Sequence, residues 1–396
     1  MQIENKIKSY IKNYFTDEEK SVLRHYYFDK YEADDTTLND TEYQNLSKLC
    51  KALIQSPLSD KYRIEVGPSC RFLINRLVDT YIDDDTLVLT TEQEHSSVKN
   101  ALKTVKNLMV LNVNTLYLHE TYNKVLEEFK NKKCNKIFLL MAGTLPGTFE
   151  VIKQDFFISL KTILLENKIP NIFILDDCQG CGFIFRDYDI FDGILATGHV
   201  FIPGFDMGIL FTKLNKRIGY YNKTGLKHLI EKINIILKHK DKALMFNDLL
   251  SEYFNYELNE LGFEKFSNQA LHKFAFKITN NTFTQKQYDD LIKYKVRVSD
   301  SHTPITNISI RCHEIMIQDP DKVIKGLELT KKLLKKIYRA KELGINKDTV
   351  YSNEKIINEN DQSFQYLDDF YKFAPEAAEK VKQVLLQHTI NNIKVR

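Results

Sequence analysis

The distribution of apolar and polar positions predicts strands that alternate with helices over the first two thirds of the chain. Two short runs, 137–140 and 172–175, are apolar at every position rather than at every second one. Strands of that kind are covered by helices on both faces, as in a parallel sheet. Between such runs apolar residues recur at helical spacing, so the pattern predicts an α/β fold.

Individual elements follow from the same pattern. Helices are predicted at 41–54, 96–105, 122–130 and 155–166, and strands at 86–90, 109–113, 136–141, 171–175, 194–196 and 207–212. The first fifty residues predict two amphipathic helices around an extended piece, 24–30. Helices then dominate 225–261, three strands follow at 274–278, 296–298 and 308–311, and a basic helix at 320–339 begins after a capping Asp319.

This order of elements predicts four parts. They are an N-terminal helical segment (1–60) that belongs to the small domain, a large domain (61–260), a small α+β domain (261–345), and a polar linker with a terminal helix (346–396). We expect the terminal helix to dock on the body of the protein.

Composition and charge exclude several classes of protein. Lys and Arg number 56 against 53 Asp and Glu, a net charge of +3, which favours neither nucleic-acid binding nor a disordered acidic tail. No run is long and apolar enough to cross a bilayer, and the first residues lack the apolar core of a secretory signal. We therefore expect a soluble, cytoplasmic protein. Fourteen glycines in 396 residues leave little room for glycine-rich phosphate loops.

Six cysteines scattered over a long chain are typical of reduced thiols rather than of a disulfide framework. Cys178 and Cys181 have the spacing of a redox or metal motif. A structural zinc site needs a second such pair or paired histidines nearby, and the sequence has neither. We therefore expect no metal.

Candidate chemistry lies just after the strands, because open parallel sheets bind ligands beyond the carboxyl ends of their strands. Ser69 and Thr197 offer hydroxyls for a phosphate, with helix amides behind Ser69. Asp176 can pair with a protonated ring nitrogen, and His95 offers a flat ring for stacking. Structural roles remain open at this stage: Ser69 and Ser96 as helix caps, Asp176 as a turn cap, and His95 as a surface histidine.

The sequence Asp176-Asp177-Cys178-Gln179, with Gly182 beyond it, resembles the Asp-x-x-Gln-x-x-Gly signature of the class V aminotransferases and cysteine desulfurases. These are pyridoxal-phosphate enzymes of fold type I. Glu94-His95-Ser96-Ser97 is similar to their Glu-His-x-Ser segment. The resemblance spans roughly residues 26–337 and rests on five short motifs in the right order. It implies a large domain with a mostly parallel sheet, a smaller α+β domain, and a homodimer.

The resemblance also implies roles for single residues. His95 would stack on the cofactor ring, Asp176 would pair with its nitrogen, and Gln179 would reach the ring oxygen. Arg311 would grip a substrate carboxylate, a bidentate task suited to guanidinium. The phosphate would be held by Ser69, Thr197 and His199. Thr144 occupies the place of a family asparagine and offers one hydroxyl instead of an amide.

The largest departure from the family is Val200, which follows Thr197-Gly198-His199 where the family has the lysine that binds the cofactor covalently and moves a proton. Valine has no nitrogen and does neither. Lys213 is no substitute, because the intervening strand carries it on the order of 20 Å along the sheet. Residues 298–302 also lack the cysteine that forms a persulfide in the family, so we do not expect sulfur transfer.

Three hypotheses follow. The preferred one is a pseudoenzyme that keeps the fold for binding or scaffolding. The alternative is an active enzyme that holds pyridoxal phosphate or its amine form without a covalent bond, with His199 or His95 as acid and base. The third is a purely structural or interaction protein for which the fold is incidental. No sequence feature identifies a protein partner.

Overall fold

The computed structural model describes residues 2–24, 40–54, 58–146, 150–181, 184–197, 207–219 and 223–239, with shorter pieces at 241–242, 245–246, 248–250, 252–253, 274–279, 296–299, 305–310 and 316–329. Its main sheet has seven strands: β1 (Arg63–Gly67), β2 (Thr86–Thr91), β3 (Leu108–Leu111), β4 (Lys136–Ala142), β5 (Asn171–Asp176), β6 (Gly193–Thr197) and β7 (Gly208–Thr212).

The strand order is β1-β7-β6-β5-β4-β2-β3. Strands β3, β2, β4, β5 and β6 are parallel, and β7 runs antiparallel to both of its neighbours, β6 and β1. The sheet is therefore mixed but mostly parallel, which confirms the predicted α/β class.

Helices flank this sheet. They are α1 (Gln2–Tyr14), α2 (Asp17–Arg24), α3 (Asp40–Leu53), α4 (Cys70–Tyr81), α5 (Ser96–Ala101), α6 (His119–Asn131), α7 (Gln154–Glu166) and α8 (Lys223–Lys238), with 3-10 turns at Val113–Thr115 and Tyr188–Ile190. A second, antiparallel sheet has the order β8-β10-β9, with β8 (Phe274–Thr279), β9 (Val296–Ser299) and β10 (Ile305–Ile310).

The core has two parts, one on each face of the main sheet. Along β4, Ile137 and Leu139 belong to the larger cluster, which includes α1, α3, α7 and α8, whereas Phe138 and Leu140 belong to the smaller cluster under α4 and α5. Burial on both faces explains why the β4 and β5 segments are apolar at every position. Strands of this type hold the residues at their ends in fixed positions.

The N-terminal segment differs from its prediction, because its described residues form three helices where two were expected. Thr16 separates α1 from α2. Its hydroxyl accepts from the amide of Glu19 at 3.2 Å, and its own amide donates to the Glu19 carboxylate at 3.0 Å. This reciprocal pair is a capping box, which starts a new helix at this point.

Two further details differ. The strand expected before Ser69 had no predicted bounds and is β1, and the helix expected at 96–105 ends at Ala101. The Asp319 cap is confirmed, since its carboxylate accepts from the amides of Asp321 and Lys322 at 2.9 and 3.0 Å. The extended piece after Arg24, the end of the basic helix and the terminal helix lie outside the described residues. The domain boundaries stay predictions.

Across the described part of the chain, every helix is too short or too polar to traverse a lipid bilayer.

Candidate functional site

The topology brings the candidate residues to one edge of the main sheet. Strand β1 runs in the same direction as β6, so its carboxyl end lies at the same edge as those of β2, β4, β5 and β6. The register pairs Ala142 with Asp176 across β4 and β5, and Thr197 with Gly208 across β6 and β7. The residues that follow these strands therefore lie at the edge where open α/β sheets bind ligands, and we refer to this edge as the candidate crevice.

Ser69 lies at this edge between β1 and α4. Its hydroxyl accepts a hydrogen bond from the amide of Phe72 at 3.1 Å and so caps α4. Ser69 therefore has the helix-capping role that the sequence analysis named as one of its two possible roles. Because the hydroxyl uses a lone pair for this bond, its own proton is still able to donate to an anion at the helix N-terminus.

Gly208, the first residue of β7, packs directly against this loop. A Cβ at Gly208 would lie 2.6 Å from the amide nitrogen of Cys70 and 2.7 Å from the carbonyl oxygen of Ser69. Both contacts are to backbone, so a side chain there has no room. The missing side chain lets β7 approach the start of α4 closely.

Asp176 ends β5 and is 6% exposed. One carboxylate oxygen accepts from the amide of Cys178 at 3.1 Å, so Asp176 also caps the following turn. Cys178 extends its sulfur toward α4, where the two sulfur atoms of Cys178 and Cys70 are 3.3 Å apart. The turn after β5 and the start of α4 are thus in direct contact.

Thr144, Asp177 and Arg186 form a buried polar cluster behind the crevice. The Arg186 guanidinium donates to the carbonyl oxygens of Gly143 and Ile152 and lies 3.4 Å from the Asp177 carboxylate and from the Thr144 hydroxyl. Burial raises the pKa of Asp177 although the charge of Arg186 acts to lower it. The cluster joins the ends of β4 and β5 to the chain before Tyr188.

Glu94 follows β2 and is fully buried. Its carboxylate accepts from the Thr91 hydroxyl at 2.6 Å and from the Ala142 amide at 3.0 Å. Burial raises the pKa of Glu94 to about 8, and the charge of Asp176 adds to the rise, while the hydrogen bonds from Thr91 and Ala142 oppose it. Glu94 therefore fastens the loop that carries His95 to the end of β4.

His95 caps α5, a role that the sequence had suggested for Ser96. Its Nδ1 accepts from the amide of Ser97 at 3.2 Å, and the side chain is otherwise on the exposed side of the loop. Ser96 is instead the first residue of the helix. The cap fixes the orientation of the imidazole ring at the crevice edge.

The structure thus brings Ser69, Thr144, Asp176 and Thr197 to one edge of the sheet, with Gln179 in the turn after β5 and His95 in the loop after β2. His199, Val200 and Arg311 lie outside the described residues, and their roles stay predictions. Among the residues that the structure describes, no group of His, Cys, Asp or Glu is arranged to hold a metal ion.

Arg186 and Tyr188 were missed from the sequence. Tyr188 is fully buried and donates to Asp177 at 2.5 Å. The sequence offered one signal for Arg186: it directly follows the apolar run 183–185, whereas a solvent-exposed loop would carry more polar residues.

No family model and no curated protein sequence matches the chain. Solved structures do match. A NifS-like protein from Rickettsia africae ESF-5 has a TM-score of 0.60 at 14% identity, over 83% of this chain and 98% of that one. A second NifS-like protein has a TM-score of 0.57 at 15% identity, over 81% and 96%.

A serine palmitoyltransferase from Sphingomonas wittichii is also similar, with a TM-score of 0.57 at 11% identity over 85% of this chain and 87% of that one. Identities this low show the fold alone. The chain has the architecture of the fold type I pyridoxal-phosphate-dependent transferases, as the sequence motifs predicted.

Proposed function

We propose that this protein is a class V aminotransferase-like or cysteine desulfurase-like pseudoenzyme that binds pyridoxal phosphate, or its amine form, without a covalent bond. The observation that carries the proposal is a set of candidate ligand-binding residues at one sheet edge combined with one missing amine. Ser69 and Asp176 are at the sheet edge, whereas the third residue after β6 is Val200.

The residues around the crevice fit the chemistry of this cofactor. A phosphate suits the N-terminus of α4, where backbone amides and the Ser69 hydroxyl are donors. The missing side chain of Gly208 leaves the start of α4 tightly packed and fixed in place. Asp176 is a nearly buried carboxylate, and a protonated ring nitrogen would compensate its charge.

When bound, pyridoxal phosphate supplies an electron sink for reactions at an amino-acid Cα. In this chain Ser69, Thr197 and His199 would hold the phosphate, and Asp176 would hold the ring nitrogen. Gln179 and Thr144 would lie toward the ring oxygen, and Arg311 toward a carboxylate of the ligand. Val200 can neither bond to the cofactor nor carry a proton, so we expect binding without turnover.

The active-enzyme alternative requires a histidine to move protons. His95 already has a structural role, since its Nδ1 accepts the Ser97 amide and caps α5. This bond orients the ring and engages Nδ1, so an enzyme that used His95 as its base would have to move protons through Nε2. Turnover of pyridoxamine phosphate with keto acids would support the alternative and contradict our proposal.

Equilibrium binding followed by borohydride reduction tests the proposal. Pyridoxal phosphate should bind the full-length protein, be removed by dialysis, and leave no stoichiometric lysine adduct after reduction. Asp176→Asn should weaken binding about 10- to 100-fold, as expected for loss of a charged hydrogen bond. Asp189→Asn, at a largely exposed carboxylate, is the matched control and should bind as wild type. Absence of binding would contradict the cofactor part of the proposal.

Adduct mapping also decides whether another lysine replaces the missing one. Lys99 lies one helical turn beyond His95 on α5, and burial lowers its pKa, which favours the reactive neutral amine. A stoichiometric adduct that disappears in Lys99→Ala would contradict the pseudoenzyme.

Restoring the amine is the complementary test. Val200→Lys should produce a borohydride-reducible adduct on residue 200, whereas the neighbouring Phe201→Lys should not. Failure of Val200→Lys in a protein that still binds the cofactor would show that the motif alignment is wrong.

A homodimer and a cytoplasmic location are part of this proposal. Light scattering of the purified protein tests the first, and a strict monomer would count against it.

A further inference from the structure

Two cysteines are in contact where the start of α4 meets the turn after β5. The Sγ atoms of Cys70 and Cys178 are 3.3 Å apart, with Cys178 donating, and the Cys70 thiol in turn donates to the carbonyl oxygen of Ala196 at 3.0 Å. The three residues come from α4, the turn after β5, and β6. This chain of hydrogen bonds holds both sulfur atoms in defined positions.

The contact joins residues that are 108 positions apart in sequence, and it is not the pairing that the sequence spacing suggests. Cys178 packs in the smaller core cluster under α4, whereas Cys181 packs in the larger cluster on the other face of the sheet. The Cys178-x-x-Cys181 motif is therefore divided between two clusters, and the partner of Cys178 is Cys70.

We propose that Cys70 and Cys178 form a reversible redox site, at which a peroxide oxidises the two thiols to a disulfide that ties the start of α4 to the turn after β5. The sulfur atoms are already neighbours, so closing to a disulfide length of about 2.05 Å requires only a short movement. Disulfides in reduced compartments are typically transient and regulatory.

The chemistry balances with hydrogen peroxide as the oxidant. The Cys70 sulfur attacks one peroxide oxygen, the O–O bond breaks, and sulfenic acid and one water form. The Cys178 sulfur then attacks the Cys70 sulfur, the S–O bond breaks, and the leaving hydroxyl departs as water with the Cys178 proton. Two thiols lose two electrons, and one peroxide becomes two waters. A dithiol reductant reverses the reaction by exchange.

The different surroundings of the two thiols indicate that Cys70 is oxidised first and Cys178 reacts second. Cys70 is partly exposed, so an oxidant reaches it first, whereas Cys178 is 8% exposed. The hydrogen bond with Cys70, together with burial, raises the pKa of Cys178 well above its usual value. Cys178 thus stays protonated near neutral pH and acts as the second, resolving thiol.

Peptide mapping tests the proposal on the wild-type protein, so the result does not depend on the folding of a variant. The native protein is treated with hydrogen peroxide, its remaining thiols are blocked with N-ethylmaleimide, and it is digested with trypsin. Cys70 lies in the peptide 64–71, and Cys178 lies with Cys181 in 169–186. We expect these two peptides to be linked, and dithiothreitol to separate them.

Cysteine-to-serine variants then identify which two thiols form the disulfide. Cys181→Ser should keep the linked peptide, whereas Cys70→Ser and Cys178→Ser should each lose it. Maleimide labelling of both Cys70 and Cys178 after peroxide treatment would overturn the proposal. So would an internal disulfide in peptide 169–186, because Cys178 would then pair with Cys181.

Discussion

The phenolic hydroxyl of Tyr188 donates a hydrogen bond to the carboxylate of Asp177 at 2.5 Å, and both side chains are fully buried. The contact links the 3-10 turn Tyr188–Ile190 to the turn after β5. Asp177 directly follows Asp176, so this buried bond, together with Arg186, holds the turn next to the candidate ring-nitrogen ligand at the end of β5.

Tyr188→Phe should lower the free energy of unfolding by about 2 kcal/mol, because it removes a hydrogen bond to a buried charged group. Urea denaturation measures the change. Tyr117→Phe is the matched control: its hydroxyl accepts from the Lys153 amide at 2.9 Å, but the residue is 45% exposed and water replaces the bond. The control should cost less than about 1 kcal/mol. Equal losses in both variants would contradict the special role of the Asp177 contact.

Glu94 should make stability depend on pH. Its pKa is about 8 in the folded protein against 4.5 unfolded, so between these values the folded state binds one more proton than the unfolded state. Stability is therefore lost as pH rises from about 5 to 8, by at most about 1.4 kcal/mol per pH unit from this group. Glu94→Gln should remove that slope in urea denaturation at pH 5, 6, 7 and 8.

Asp83→Asn is the control for this profile. A hydrogen bond from Lys136 holds the pKa of Asp83 below its usual value, so the carboxyl is ionised in both states above pH 5. Removal of the Asp83 carboxyl should therefore leave the change of the free energy of unfolding between pH 5 and 8 as in wild type. If Glu94→Gln and wild type show parallel curves, the buried carboxyl is not protonated on folding.

The sequence predicted the central strands because burial on both faces forces nearly every side chain to be apolar, as in β4 and β5. The bounds of β1 were not predictable, for the opposite reason. That strand contains Arg63 and the buried Glu65, whose carboxylate accepts from Arg63 at 2.8 Å and from the Gly219 amide at 2.8 Å. A buried charged residue makes a strand difficult to recognise in the sequence when one of its hydrogen-bond partners, here the Gly219 amide, is distant along the chain.

The candidate site likewise contains residues that a local sequence pattern reveals and residues whose partners are distant along the chain. The position of Asp176 was predictable because a polar residue after an apolar run marks the end of a strand, at the edge where open parallel sheets bind ligands. Arg186 was not, because its partners Gly143, Ile152 and Asp177 come from three separate segments that meet only in the folded chain. The Cys70–Cys178 contact was hidden in the same way, and the local Cys178–Cys181 spacing suggested a different pair.

Gly208→Ala should destabilise the protein by about 1–3 kcal/mol, because the new Cβ would meet the backbone of Ser69 and Cys70 at 2.6–2.7 Å. Gly67→Ala is the control: the three atoms nearest to its Cβ would be side-chain atoms of Leu73 and Phe72, at 3.0 Å, and these are able to shift. Thermal unfolding compares the two. A Gly67→Ala protein less stable than Gly208→Ala would contradict the packing of β7 against α4.

Ligand binding should protect Cys70 from alkylation, if the proposed function is correct. A phosphate at Ser69 would cover the neighbouring thiol, so pyridoxamine phosphate, which has no aldehyde to react with amines, should slow labelling of Cys70 by N-ethylmaleimide severalfold. Ser69→Ala should lose part of this protection. Cys134 is the internal control, because it precedes β4 and lies at the opposite edge of the sheet. Equal slowing at Cys70 and Cys134 would indicate general stabilisation of the fold rather than a ligand in the crevice.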